Sequence, residues 1–508
     1  MTSKERLIRS LVLVLLTLAA LWIPACSRQV PEEPDLIVLQ TGRLRGNVYP
    51  DNLPGMAPLQ HYPYLAGYIN EVREEAGASG AEVLLLDLGD SLGGSFAAHA
   101  TDKRNMIQYF NALDYDVVAL GNLDNDLTPE MVEALRARVL NPFATADGSP
   151  ALEGTEFVVQ LKKGEYPITL VANFYGDMDA SEFPDRFPMW FGQAAEGVVP
   201  LRNYKSVEEL QSKEEGELRI FTWMKFESPE EPPADFLEQL QTMGVDLVSA
   251  HRIYSSRETD SWKPGSGFYD WNPPVSENIL RNNGGFVAAR TDLKKTPEGW
   301  RVLKQELIPM TANTTSPDQE IIEQINRLRD EILEADQRLG NLESAVEETN
   351  ILRAYMIALS SIPGTEAVVY SPQSVRTSWP RGELRSSLVF NSLPWTAPVV
   401  QIRLTREQWN SIQERNPGLE ILTLEREHLA AANTPDRIPS PDEIIVTTSR
   451  YFASIFARQL NASVSEVLVR ELEPEFQFFC RALEKSGGKV DLQTPAGWTF
   501  LSRDRQSP

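Results

Sequence analysis

Leu36-Ile37-Val38-Leu39-Gln40-Thr41-Gly42-Arg43-Leu44-Arg45-Gly46 decides how this chain is read. Leu36–Leu39 is an unbroken apolar run of strand length, the pattern of a strand buried on both faces. It runs straight into a loop that carries two arginines two positions apart. Outward from it, apolar runs recur at Val83–Leu86, Val117–Leu120, Ile168–Ala172, Leu218–Thr222 and Leu247–Ser249. Between them, Tyr64–Glu75, Asn105–Leu113, Thr128–Val139 and Pro233–Met243 read as helices. Thr128-Pro129-Glu130 has an N-cap residue followed by proline in the first turn, a helix start. Strands alternating with helices predict an α/β layered domain. Phe286–Leu293 and Trp300–Leu307 read as a hairpin that closes it.

Ser316-Pro317-Asp318 begins a further helix. Ile321, Ile325, Leu328, Ile332, Ala335, Leu339 and Leu342 follow at steps of three and four, which predicts one apolar stripe. The organisation expected is a layered domain over 35–315, a linker helix over 316–337 and a mixed α/β domain over 338–508. The Pro-rich insert Glu227–Pro233 and the segment Tyr254–Pro274 read as long surface loops.

The chain has 508 residues, enough for two to four domains with substantial cores. Lys and Arg number 48 against 72 Asp and Glu, a formal charge of −24. That balance repels nucleic-acid polymers and anionic lipid surfaces, yet leaves room for a local basic site that takes a small phosphorylated molecule. Four histidines and two cysteines, Cys26 and Cys480, provide no Cys/His zinc cluster.

The first 25 residues read as a signal peptide. Lys4, Arg6 and Arg9 make a positive start, and Leu11–Leu21 is an apolar stretch too short for a comfortable membrane span. Ile23-Pro24-Ala25-Cys26 resembles a bacterial lipobox, which implies cleavage before Cys26 and acylation of its thiol; an uncleaved signal anchor is the other reading. Residues 26–34 then form a lipidated tether. Ser27 after the cysteine resembles the outer-membrane sorting pattern of Gram-negative lipoproteins, which implies an anchored protein facing the periplasm.

Four segments then carry a family resemblance: the loop holding Arg43 and Arg45; Leu84-Leu85-Leu86-Asp87-Leu88-Gly89-Asp90-Ser91; Tyr115-Asp116-Val117-Val118-Ala119-Leu120-Gly121-Asn122-Leu123-Asp124-Asn125-Asp126; and the pair Ile220–Lys225 with Val245–Ile253. In order and spacing they resemble the metallophosphoesterase domain of secreted 5'-nucleotidases and UDP-sugar hydrolases. The resemblance implies a β-sandwich flanked by helices. It also implies a second domain, for which Leu339-Gly340-Asn341-Leu342, read as its opening helix motif, Arg376, Gly382, Leu393-Pro394-Trp395 and Leu404–Gln408 are the landmarks. By the same resemblance, Asp90 and Asn122 are metal ligands, His251 is a third, and Asp126 orients a catalytic histidine.

The chain departs from that pattern at the chemistry. Arg43 and Arg45 stand at the positions of an Asp and a His ligand, Leu123 at the catalytic His, and Trp223 and Ile253 at two further ligand positions. A guanidinium has no free lone pair and stays protonated, so it cannot ligate a metal. At most one divalent metal, on Asp90, Asn122 and His251, is expected, and no other cofactor. Arg43, Arg45 and Arg376 are read as an anion or phosphate site. Simpler roles stay open. Asp90 and Asn122 suit strand-end turns, and His251 suits a structural hydrogen bond. Arg43 and Arg45 suit ion pairs with Asp90 and Asp126, and Arg376 a surface ion pair. Phe452 and Phe456 suit either base stacking or the core. The function expected is binding of an anionic small molecule or an envelope partner. An active single-metal phosphoesterase and a non-catalytic scaffold are the alternatives.

Overall fold

The computed structural model describes residues 32–46, 61–121, 124, 127–145, 149–172, 174–175, 199–200, 213–226, 240, 242, 244–253, 279–282, 287–309, 315–424, 442–490 and 492–501. Leu36–Thr41 is buried throughout, as its apolar run requires, and is a central strand of a six-stranded sheet. Its neighbours are Glu82–Asp87, parallel and in register Thr41 to Asp87, and Val287–Thr296, antiparallel. The spatial order is Gly299–Pro309, Val287–Thr296, Leu36–Thr41, Glu82–Asp87, Val117–Ala119, Arg138–Leu140.

Successive side chains of a strand point to opposite faces, and this strand uses both. Leu36 and Val38 pack toward a second sheet, against Ile168, Leu170, Leu218, Ile220 and Leu247. Ile37 and Leu39 pack toward helices, against Leu65, Ile69, Met106 and Phe110. The second sheet runs Ile279–Asn282, Leu247–Ile253, Leu218–Phe226, Tyr166–Val171, Val158–Lys163. The first domain is therefore a β-sandwich flanked by helices. The hairpin of Val287–Thr296 with Gly299–Pro309 is present as expected.

The second domain is mixed α/β. Its sheet runs Leu468–Pro474, Pro398–Thr405, Glu443–Ser449, Ala367–Tyr370, Glu420–Leu424, Trp498–Leu501. Helices Glu348–Ser360, Arg450–Gln459 and Glu475–Lys485 supply Tyr355, Phe456 and Phe479 to its core. Thr405 and Gln408 form a reciprocal capping box at the start of Arg406–Arg415, in the motif Leu404–Gln408.

Two sequence expectations are corrected. The helix expected over Thr128–Val139 is Pro129–Ala134, started by Thr128 as foreseen. Leu135 is already extended, and Arg138–Leu140 pairs with Val117–Ala119 as a parallel strand. The long stripe is broken as well. Helices Gln319–Arg327 and Arg329–Ala335 meet at Leu328, and Leu339 and Leu342 lie in the strand Arg338–Leu342, paired with Gly382–Arg385. Asp336 ends the helix because its carboxylate is taken by Arg385 Nε (2.9 Å), Ser387 N (2.8 Å) and Ser387 Oγ (2.9 Å). Gly340 is required there: a Cβ on it would lie 2.4 Å from Gly488 Cα.

The signal peptide, Cys26, the expected loops Glu227–Pro233 and Tyr254–Pro274, and most of the helix expected over Pro233–Met243 lie outside the described residues. Among the described residues no helix is long and apolar enough to cross a membrane.

Candidate functional site

Three parallel strands, Leu36–Thr41, Glu82–Asp87 and Val117–Ala119, end at one edge of the first sheet. Loops at the carboxyl ends of parallel strands are where α/β folds place ligands. Here those loops are locked together. Arg43 N–H donates to Gly89 O (2.8 Å), Arg45 N–H to Asp90 O (3.0 Å) and Gly46 N–H to Ser91 O (2.8 Å). Leu44 N–H donates to Ser91 Oγ (3.1 Å), and Tyr62 Oη donates to Leu44 O (2.6 Å).

This backbone ladder demands left-handed conformations. Arg43 has φ 55°, Arg45 φ 52° and Asp90 φ 56°. Such conformations cost an L-residue with a long side chain about 1–3 kcal/mol each and persist only where surrounding structure fixes them. Three of them, on two adjoining loops, are the residues that the sequence singles out.

Asp90 is buried against Gly121; a Cβ on Gly121 would lie 2.4 Å from Asp90 Oδ1. Below it sits Asp124, which sequence reasoning passed over. Its carboxylate accepts from Gly121 N (2.7 Å), Asp90 N (2.8 Å), Leu92 N (2.8 Å) and Gly93 N (3.4 Å). Burial, with the charge of Asp90, pushes Asp124 up to about 7 against the pull of those amides. Asp87 does the same for the first loop, accepting from Thr41 Oγ1 (2.7 Å) and Gly89 N (2.9 Å), and burial raises it to about 6. The signal for Asp124 in the sequence is an Asp just past a strand end, in a Gly-Asn turn.

Arg45 and Asp90 are brought together electrostatically. Burial lowers the pKa of Arg45, and the charges of Asp90 and Tyr62 oppose that shift. Arg43 is buried as well. Asn122, Leu123 and Asp126 lie outside the described residues. The strands place Trp223 opposite Ala250, and His251 opposite Met224 and Asn282. The side chains of Trp223, His251 and Ile253 lie outside the described residues.

Arg376 comes from the other domain. Its amide donates to Ser392 O (2.9 Å), and its guanidinium lies over the Trp395 ring at 4.9 Å. Trp395 is held by its own Nε1–H on Ser374 O (2.9 Å). Desolvation and the positive charge of Arg45 bring Arg376 down to about 10, although its side chain is exposed. Among the described residues the Arg376 guanidinium stacks on an indole and feels the charge of Arg45. Phe452 and Phe456 are both buried core residues, so base stacking by them is set aside.

Solved structures share the fold. A 5'-nucleotidase precursor from Thermus thermophilus superposes with a TM-score of 0.56 at 14% identity, over 89% of this chain and 96% of that one. A 5'-nucleotidase from Candida albicans gives 0.56 at 11%, over 89% and 98%. The fold is that of the 5'-nucleotidases. A Thermus thermophilus sulfate thiohydrolase, SoxB, has the same fold, with a TM-score of 0.55 at 14% identity over 90% of this chain and 95% of that one. No protein-family model and no curated protein matches the sequence.

Among the described residues no group of three or more His, Cys, Asp or Glu is placed to hold a metal. The first loop offers two guanidiniums where the resemblance requires a carboxylate and an imidazole. Arg45 already brings a positive charge to Asp90. A second cation there would face like charge with one carboxylate between. A residual one-metal set of Asp90, Asn122 and His251 has only Asp90 among side chains the structure describes.

Proposed function

We propose that this chain is an envelope lipoprotein with a 5'-nucleotidase fold that has lost two-metal phosphoester hydrolysis and binds a phosphorylated or other small anionic molecule between its domains. The observation that carries this reading is Arg376, which the second domain seats over the Trp395 ring, near enough to Arg45 of the first domain to feel its charge. Each domain contributes a cation, and Arg45 is near enough to Asp90 and to Arg376 to feel the charge of both. Two like charges held near one another in partly desolvated surroundings are unfavourable until an anion lies between them. Stacking on Trp395 uses the face of the Arg376 guanidinium and leaves its in-plane N–H donors for a ligand. The overall charge of −24 keeps polyanions away, so a small anion is the ligand that fits.

Inorganic phosphate is the simplest probe. Calorimetric titration of the full protein should give a saturable heat. Hydrogen bonds to charged groups are worth about 1.5–3 kcal/mol, so Arg376→Ala should weaken binding about 10- to 100-fold. Absence of binding, or equal affinity in the variant, would sink the reading. The anchor is tested separately by intact mass: the mature chain should start at Cys26 with acyl mass added, and a chain that still starts at Met1 would refute it.

A further inference from the structure

We propose that Glu475 is a positioning residue for Arg376, a role that rests on the anion reading of that arginine. Glu475 is a buried carboxylic acid that holds the seat of Arg376 on Trp395 while it carries its proton, and loosens that seat on ionisation. It opens the helix Glu475–Lys485 inside the second domain. Its Oε2 lies 2.9 Å from Tyr370 Oη and 3.2 Å from Tyr355 Oη, and the two phenol oxygens are 3.3 Å apart. A closed triangle of oxygens needs three hydrogens for three hydrogen bonds. The phenols supply two, so the third is the carboxyl's own. As a carboxylate, Glu475 takes both phenol protons and leaves the contact between the tyrosines without one. No cation is among the groups that act on it, and burial pushes it up to about 8 against the pull of the two phenols.

Both halves of the seat converge on Glu475. Tyr370 ends the strand Ala367–Tyr370 and leads into the turn Pro372–Ser374 and Arg376. Ser374 O accepts from Trp395 Nε1 (2.9 Å), which sets the indole under the guanidinium. On the other side, Glu475 N–H donates to Ala397 O (3.0 Å) and Phe476 N–H to Trp395 O (3.2 Å). The side chain thus grips the strand that ends in the arginine loop, and the two amides grip the tryptophan segment. A carboxylate here is a buried charge with no cation, relieved only by a shift toward water that draws on both segments. Other titratable groups surround it. Burial holds Tyr355 and Tyr370 well above the ordinary phenol value. Glu473 reaches Tyr355 through its charge, and His99 of the first domain stands edge-on to Phe476 at 5.4 Å. Cys480 on the same helix feels Asp336 and Glu484.

Sulfate, a dianion throughout the range, is the probe, titrated calorimetrically into the full protein at pH 7 and pH 9. With the carboxyl at about 8, the protonated fraction falls about tenfold between the two, and the parent's affinity should fall with it. Glu475→Gln keeps the shape and cannot ionise, so it should hold its affinity at pH 9. Asp87, Asp124, His99 and Arg376 are common to both proteins, and the difference between the two belongs to Glu475. A parent affinity unchanged over the range, or an equal fall in the variant, would overturn the role. A second readout needs no anion. The Trp395 indole N–H resonance of nitrogen-15-labelled protein, assigned with Trp395→Phe, should shift with a midpoint at about pH 8 in the parent and stay still in Glu475→Gln. If sulfate does not bind at pH 7, the anion reading fails, and the indole resonance alone decides whether Glu475 holds the seat. If Glu475→Gln does not fold, Tyr370→Phe replaces it. Loss of one donor to the carboxylate should move the midpoint to higher pH, and an unmoved midpoint would contradict the proposal.

Discussion

Nucleoside monophosphates, UDP-sugars and bis(p-nitrophenyl) phosphate should show no turnover with this protein in the presence of Mn, Co or Zn. In-line hydrolysis at a two-metal centre clamps both the attacking and the leaving oxygen. The resemblance places Arg43, Arg45, Trp223 and Ile253 at ligand positions, and Leu123 where a histidine would stabilise the leaving oxygen. Loss of one group that stabilises transition-state charge costs about 10²–10³ in rate. Several are lost together here, which puts any residual rate below detection. Turnover abolished by Asp90→Ala would contradict this and would assign the activity to a single metal on Asp90, Asn122 and His251.

The second large effect concerns stability. Asp124→Ala should destabilise the first domain by about 3–5 kcal/mol, read from the urea midpoint and slope of that domain's transition. Three buried amides, those of Gly121, Asp90 and Leu92, lie within 2.8 Å of the carboxylate. Each orphaned buried donor costs about 1–3 kcal/mol, and partial relaxation keeps the sum near the stated range. Asp124 is also what holds Asp90 in its left-handed conformation, so the variant should lose phosphate binding even where it stays folded. A change below about 1 kcal/mol would show that these amides find water or other partners, and that Asp124 is not the keystone described.

Much of the fold was legible because local and global signals agree in the first domain. Leu36–Thr41 is apolar on both faces and is buried on both. Thr128 caps a helix in the sequence and in the structure. Where the reading failed, a local rule was overruled from a distance. The i+3/i+4 arithmetic that joined Ile321 to Leu342 runs unbroken through Asp336. Nothing near Asp336 in sequence discloses that Arg385, Ser386 and Ser387 seize its carboxylate and turn the chain into a strand. Helical spacing likewise cannot tell Leu135–Val139 from a helix end followed by a strand, because the strand's partner is Val117–Ala119.

The site divides the same way. Arg43, Arg45 and Asp90 stood out because their residue types are wrong or right for a known motif, and the structure sets them on adjoining strained loops. Asp124 did not stand out, since four amides from two loops converge on it only after folding. Arg376 was read as an anion ligand; its seat on Trp395 is made by folding of the second domain, and its closeness to Arg45 by the docking of the two domains.

The central claim is that guanidiniums have taken the place of the metal pair beside Asp90. Elemental analysis of the protein, purified without chelator and without added metal, tests it most directly. The account predicts Mn, Fe, Co and Zn far below one equivalent per chain; near-unit or higher stoichiometry in the unmodified protein would contradict it, because a dication and the Arg45 guanidinium would then have to share the space at Asp90.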